Sequence, residues 1–299
     1  MLDRVRRAVR RRAADVVLEA SREASGEVLA QVRPDESRAA LQHLVEALEA
    51  ERHDAHARAE ALAAQVADLR TEVVRVQAAV AGYEHRHRRD VGFANDVSAV
   101  QETARFVAEG LSQLPRLDTP HDTLRYGLGL LGDVPGLALE FGVGEGTTLG
   151  IIAEHLADRK VFGFDVFSGL PETWRTGFPA GAFAQEALPE VPGAELVVGL
   201  FADTLPAFLA EHQDPVAFLH LDADLYSSTA LVLDLLGDRL RPGSVVVFDE
   251  YFNYPGWQDH EHRAWSEFLE RTGVTFRWEA YTVDHEQLVA TILTHPSAS

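Results

Sequence analysis

The alternation of short apolar runs with longer helical stretches beyond residue 120 restricts the fold of this chain more than any other feature. The runs "LALEF", "VFGFD", "ELVVGLF", "VAFLHLD" and "SVVVFDE" follow one another, each separated from the next by a helical segment. Five strands spaced by helices imply a parallel, doubly wound sheet. A final pair, "TFRWEAYT" and "QLVATILT", is joined by the short "VDHE" and predicts a closing hairpin. The expected architecture is α/β, a seven-stranded and mostly parallel sheet over residues 118–299. Thr119 reads as an N-cap with Pro120 at the first helical position.

At 299 residues and 46% apolar, the chain can bury one full-sized core and keep roughly 100 residues for an extension. Residues 1–85 carry that extension. From Leu41 to Tyr83 the apolar positions step by alternating fours and threes, a heptad repeat. Val45, Val66, Val73 and Val80 take the a positions and Leu41, Leu48, Leu62 and Leu69 the d positions, an arrangement that favours two parallel helices. Arg52 and Ala59 weaken the middle of the seam. The spacing predicts a helix over about 36–83, starting after Pro34-Asp35 and ending by Gly82, that joins chains into a homodimer or higher homo-oligomer. A helix packed on its own domain is the other reading. Residues 86–117, "HRHRRD" and then helical spacing around Val100 to Leu114, read as a helical connector.

A net charge of −20 and a pI near 5.0 argue against a general affinity for nucleic acid, whose binding rests on phosphate neutralisation. A small-molecule substrate or a protein partner is expected instead. Without cysteine there are no disulfides, thiolate nucleophiles or Cys-based metal sites, which leaves carboxylates and histidines as ligands. No apolar run approaches the ~18 residues of a membrane-spanning helix, and Asp15 and Glu19 interrupt any signal-like core. A soluble, cytoplasmic protein is expected. Arg4, Arg6, Arg7, Arg10, Arg11 and Arg12 crowd the start, with Leu2, Val5, Val9 and Val16 on one helical face. A helix lying on a membrane surface and a solvated helix resting on a partner subunit both fit.

"LEFGVGEGTTLGIIAEHL" reads as strand, glycine-rich turn and helix. Gly142, Gly144 and Gly146 let the backbone turn tightly, and the helix start offers amide donors to an anionic group. Dinucleotide binding wants glycines spaced G-x-G-x-x-G, whereas Thr147 stands at the third position, so a nicotinamide oxidoreductase is disfavoured. Asp165, about twenty residues on at the end of "VFGFD", suits a ribose diol and so an adenosyl ligand.

Glu140 followed by G-x-G-x-G resembles the first motif of class I S-adenosylmethionine-dependent methyltransferases, a Rossmann-like fold. With "GFDVFSGLPETW", "GLFADTLPAF", "FLHLDADLYSST" and "VVVFDEYFNYPGW" in order, residues 120 to 295 resemble the macrocin O-methyltransferase family of sugar-modifying enzymes. The resemblance implies S-adenosylmethionine on Glu140, Gly142, Gly144, Gly146, Thr147, Asp165, Ser168, Asp203 and Asp222. It implies O-methyl transfer to a hydroxyl of a sugar or other polyhydroxylated small molecule. A coiled-coil scaffold that binds ligand without turnover is the non-enzymatic alternative.

Asp222 ends the fourth strand, and Asp249 with Glu250 ends the fifth, so adjacent parallel strands bring three carboxylates to one crevice. Such a group needs a cation, and hard oxygen ligands suit magnesium, or manganese or calcium. In the resembling family such residues hold magnesium beside the donor methyl. Asp222 is then ligand and base, with His220 on its side of the strand and His260 or His262 after the fifth strand as further candidates for proton transfer. A satisfied core histidine and exposed residues at a helix start are the alternatives for these. Asp224 reads as a cap for the helix near Tyr226, and Asp203 as either an adenine-side contact or a cap for a short helix after Pro206. The long connection from Gly169 to Pro192 reads as a lid in which Trp174 and Phe178 cover the acceptor.

Overall fold

The computed structural model describes residues 34–296, so the arginine-rich start and any membrane contact it makes lie outside the described residues. The chain divides into two compact units, residues 1–85 and 86–299. In the first, the described residues belong to α1 (Pro34–Arg89), one helix of 56 residues. It runs past Gly82, the expected end. A single glycine costs about 1 kcal/mol, while Arg86, His87, Arg88 and Arg89 place positive charge at the carbonyl end, where the helix dipole favours it. The seam residues Leu41, Val45, Leu48, Leu62, Val66, Leu69, Val73 and Val80 are all exposed. No helix among the described residues is long and apolar enough to cross a membrane.

The second unit takes in the last residues of α1 and continues with α2 (Val91–Gly110), capped by Asp90, whose carboxylate accepts from the Phe93 amide at 3.1 Å. This helix starts earlier than the spacing around Val100 suggests, because the cap at Asp90 fixes its first turn. Then follow β1 (Arg116–Leu117), α3 (Pro120–Leu130), β2 (Leu137–Phe141), α4 (Thr147–His155), β3 (Val161–Asp165), β4 (Ala194–Val198), α5 (Phe201–Glu211), β5 (Val216–Leu221), α6 (Tyr226–Leu236), β6 (Leu240–Phe248), α7 (Glu261–Thr272), β7 (Thr275–Thr282) and β8 (Leu288–Thr294). Thr119 caps α3 as expected, accepting from the Asp122 amide.

The sheet has eight strands in the order β1-β7-β8-β6-β5-β2-β3-β4, one more than expected. The extra strand is β1, inside the stretch read as helical connector. It exists only because Arg116 and Leu117 pair in parallel with Tyr281 and Thr282. Strand β8 runs antiparallel to both neighbours, which makes the expected hairpin with β7. Helices cover both faces. Leu124 and Leu128 of α3 and Leu149 and Ile152 of α4 bury Ala138, Phe218 and Val247 on one side. Leu205 of α5, Val232 of α6 and Trp265 of α7 bury Leu139, Leu219 and Phe248 on the other. Strand β4 stops at Val198 rather than continuing through Phe201, because Gly199 takes φ 143° and Phe201 opens α5.

From β2 the chain winds outward through β3 and β4, then returns to β5 and winds the other way. The crevice outside the carboxyl ends of β2 and β5 is therefore the topological switch point, where such sheets bind ligands. There Gly142 sits at φ 92°, and a Cβ on it would lie 1.7 Å from the carbonyl oxygen of Asp222. Only glycine lets the two loops touch. Gly142→Ala is expected to cost more than about 3 kcal/mol, from strain plus a backbone clash. Chemical denaturation would show it, and wild-type stability would disprove the close approach.

Candidate active site

The crevice opens into a cavity of about 690 Å³, the size of a small-molecule site. Gly142, Val143 and Gly144 of the turn after β2 form one wall. Asp165 at the end of β3 also lines it, and reaches back to fix that turn. Its Oδ2 accepts from the amides of Val143 and Gly144, each at 2.9 Å, and its Oδ1 from the Phe167 amide at 2.7 Å. The residue expected to bind a ribose thus also preforms the loop around it.

Other residues expected around a cofactor lie elsewhere. Gly146 is covered by Val191 and Pro189, and Thr147 starts α4 on the exposed side, so neither lines the cavity. Ser168 and Asp203 are exposed and absent from the lining. Asp203 caps nothing, because α5 begins at Phe201 with Pro206 inside it, not before it. Its carboxylate stands in the first turn, where the helix dipole favours negative charge.

The acidic residues of the strand ends do converge. One carboxylate oxygen each from Asp222, Asp249 and Glu250 lie within 4.8 Å of one another. Burial pushes the Asp222 and Glu250 carboxyls well above their usual range, and the neighbouring Asp249 charge pushes both further. Glu250 Oε2 is buried with no hydrogen-bond partner. An orphaned oxygen in a cluster of hard, mutually repelling donors fits a divalent cation bound through oxygen. Beneath it Glu261, on the first turn of α7 and fully buried, accepts from the Glu250 amide at 3.2 Å.

Asp224 does not cap α6. The position before that helix is Leu225, with no side-chain cap, and Asp224 takes a left-handed φ of 58° and lines the cavity. Burial raises its carboxyl to about 7, against the pull of Arg175. Sequence reasoning missed this role, since a helix-adjacent aspartate looks the same whether it caps or faces a ligand. Left-handed backbone on a non-glycine residue marks a held geometry, and such positions cluster at functional sites.

His220 and Glu140 are placed away from the cavity. Both are buried within the sheet, His220 Nδ1 meets Glu140 Oε1 at 2.8 Å, and His220 Nε2 faces Asp249 Oδ1 at 3.8 Å. Burial opposes charge on the imidazole, but the flanking carboxylates of Asp249 and Glu140 outweigh it and hold its pKa well above the ordinary histidine value. His260 is half-buried before α7, beside the ring of Tyr254 and outside the lining. His262 pairs with the Tyr251 hydroxyl at 3.1 Å, and burial lowers the pKa of both histidines. Neither histidine is presented to a ligand in the cavity.

Trp174 and Phe178 line the cavity on a loop whose neck is closed by paired backbone bonds, Leu170 to Ala182 and Gly181 to Leu170, both 2.9 Å. Arg175, the one cation in the lining among the described residues, is clamped rather than free. It donates to Glu286 through two nitrogens at 3.1 and 3.2 Å, and its guanidinium stacks 3.9 Å from the Trp174 ring and 4.4 Å from Tyr254.

Residues 139–251 match a family model described as a methyltransferase domain. The chain is 29% identical over 159 residues to the demethyldecarbamoylnovobiocin O-methyltransferase of Streptomyces niveus, covering 44% of this chain and 60% of that protein. The chain thus spans less than two thirds of that relative's length. It is also similar to the crystal structure of CalS11, a calicheamicin methyltransferase, at 26% identity over 57% of this chain and 78% of that one, TM-score 0.47. The structure of the O-methyltransferase NovP is 23% identical over 58% and 78% of the two chains, TM-score 0.45.

The Arg175 clamp sets the order of the loop over the cavity. Arg175→Ala is expected to cost about 2 kcal/mol, from a bidentate ion pair and two stacked faces. Hydrogen exchange should speed up across residues 170–182; an unchanged exchange pattern would mean that the backbone neck alone holds the loop.

Proposed function

With residues 139–251 matching a methyltransferase domain, we infer that the chain transfers the methyl group of S-adenosylmethionine to a hydroxyl of a sugar or another polyhydroxylated small molecule. One observation carries the reading: the glycine turn held by Asp165 shares a single cavity with Asp222 and Glu250, and the Asp249 carboxylate lies within 4.8 Å of both. The likeness to a relative that by its name methylates an oxygen of demethyldecarbamoylnovobiocin supports the same class.

Methyl transfer asks little covalent chemistry of a protein. The sulfonium methyl is already electrophilic, so the site must hold an acceptor oxygen in line with it and receive one proton. The carbon–sulfur bond breaks as the carbon–oxygen bond forms, leaving a neutral thioether. The turn at Gly142 and Gly144 and the Asp165 wall hold the donor. Asp222, Asp249 and Glu250 would hold a divalent cation, magnesium foremost, which when bound orients vicinal hydroxyls and lowers the pKa of one of them. Asp224, in the lining but outside that cluster, is placed to take the hydroxyl proton. Trp174 and Phe178 close the acceptor side and exclude water.

The heptad seam extends the reading to assembly. We propose that two copies of α1 join in parallel, since valine at a with leucine at d selects that state and the whole stripe is exposed.

Calorimetric titration tests the chemistry. S-adenosylmethionine is expected to bind near −8 kcal/mol, a roughly micromolar Kd, and magnesium to give a separate heat. Because Asp222 and Glu250 hold protons more firmly than free carboxyls, metal binding should release protons and vary with buffer ionisation. Asp249→Ala should keep the first heat and lose the second together with turnover; undiminished turnover refutes the ligand set. Asp224→Asn should retain both heats and lose about 10²–10⁴ in kcat. For the seam, Leu62→Glu with Leu69→Glu should convert a dimer to a monomer in light scattering, and an unaltered mass would place the contact elsewhere.

A further inference from the structure

Strands β2, β5 and β6 lie side by side, with Glu140, His220 and Val247 in register across them. Period-two alternation puts Glu140 and His220 on the face shared with Ala138, Phe218 and Val247, and Asp249 follows two residues after Val247. The result is a row of three polar side chains inside an apolar layer. Glu140 is 0% and His220 1% exposed, while the Asp249 side chain keeps 23% and brings an oxygen within 4.8 Å of those of Asp222 and Glu250. Both ring nitrogens of His220 face carboxylate oxygens, Glu140 at 2.8 Å and Asp249 at 3.8 Å. A polar pair buried this deeply is costly unless each member satisfies another.

We propose that Glu140 and His220 are positioning residues for Asp249: Glu140 fixes the imidazole ring, and the ring steers the Asp249 carboxylate toward the cation site it shares with Asp222 and Glu250. This rests on the cation reading of that cluster. Neither residue touches the cavity, so neither meets substrate or cofactor directly. The acidic residue before the glycine turn, expected to serve the cofactor, serves the neighbouring carboxylate cluster instead. Partners of this kind orient ligating groups, and losing one typically costs 10–100-fold in metal affinity. The 3.8 Å gap is an ion-pair separation rather than a hydrogen bond, so the ring biases the direction of Asp249 while leaving its oxygens free to ligate.

The test is Mn²⁺ binding to the full chain loaded with S-adenosylhomocysteine, measured by calorimetry and by the loss of the free-ion electron paramagnetic resonance signal. His220→Asn keeps a donor at the Nδ1 position for Glu140 but withdraws the group facing Asp249. It is expected to weaken Mn²⁺ binding about 10–100-fold. His220→Gln, whose amide reaches the Nε2 position, is expected to restore most of that affinity. Affinity for S-adenosylhomocysteine should stay within about threefold of wild type in both, because Asp165 and the turn are untouched. Should His220→Asn fail to fold, Glu140→Gln decides the matter, with a weaker Mn²⁺ affinity expected once the ring is released. Wild-type Mn²⁺ affinity in His220→Asn, or in Glu140→Gln where the former is unfolded, overturns the positioning role alone. A wild-type chain that binds no Mn²⁺ overturns it together with the cation reading.

Discussion

Mutual repulsion among the carboxylates at the ends of β5 and β6 is the constraint around which the second unit is arranged. Ladder bonds from the Asp222 amide to Phe141 and from the Asp249 amide to Leu221 fix where these side chains emerge, so they cannot separate without breaking the sheet. Two further acids, Asp224 and Glu261, crowd the same volume. Such crowding lowers stability unless something returns the energy, and the fold returns part of it through charge and hydrogen bonds. Asp249 is the one member held below its usual pKa: burial would raise it, but His220 together with hydrogen bonds from Glu250 and Gln287 outweighs that cost. The cluster therefore sets one carboxylate held below its usual pKa beside two pushed above theirs, an asymmetry that a bound cation would resolve.

The same constraint explains why the backbone around the crevice is so specialised. Gly142 must lack a Cβ for its loop to pass the Asp222 carbonyl, and Asp224 must turn left-handed to clear the chain into α6. Asp165 spends three acceptor contacts on amides of two different loops. Gly142 adopts its positive φ without strain, whereas Asp224 holds a strained left-handed backbone directly after β5, so the loops at the strand ends are fixed by the strands below them.

How far the sequence disclosed this depended on whether a signal was local. Strands such as "VAFLHL" show their burial in their own composition, and Asp222 and Asp249 stand out because each follows an apolar run directly, with Glu250 next to Asp249. The pairing of Glu140 with His220 depends on the register of β2 against β5, eighty residues apart, which no local pattern encodes. Strand β1 was hidden for the same reason: two residues carry no period, and only Thr282 and Tyr281 make them a strand. Asp224 was misread through a sound local rule, since an aspartate before a helix caps it more often than not, and tertiary packing overrode the preference. Gly82 failed as a stop signal because one glycine costs only about 1 kcal/mol, and Ala78, Ala79 and Ala81 before it and Glu84 and Arg86 after it favour the helix.

The clamped Arg175 bears on what the cavity can accept. Its charge is answered by Glu286 and its two faces by Trp174 and Tyr254, so it is occupied before any ligand arrives. Among the remaining polar groups of the lining, the carboxylates Asp222, Asp224 and Glu250 accept hydrogen bonds or ligate a cation, while Ser227, Ser228 and Gln185 can also donate. A surface of that kind favours hydroxyl donors over anions. With Trp174, Phe178 and Phe183 forming the apolar border of the cavity, it suits a molecule that presents hydroxyls on one side and hydrophobic surface on the other. If the cavity takes a polyhydroxylated acceptor, as proposed, discrimination comes from what the site leaves unpaired: an acceptor lacking the hydroxyls strands the carboxylates without donors, a larger loss than a missing apolar contact.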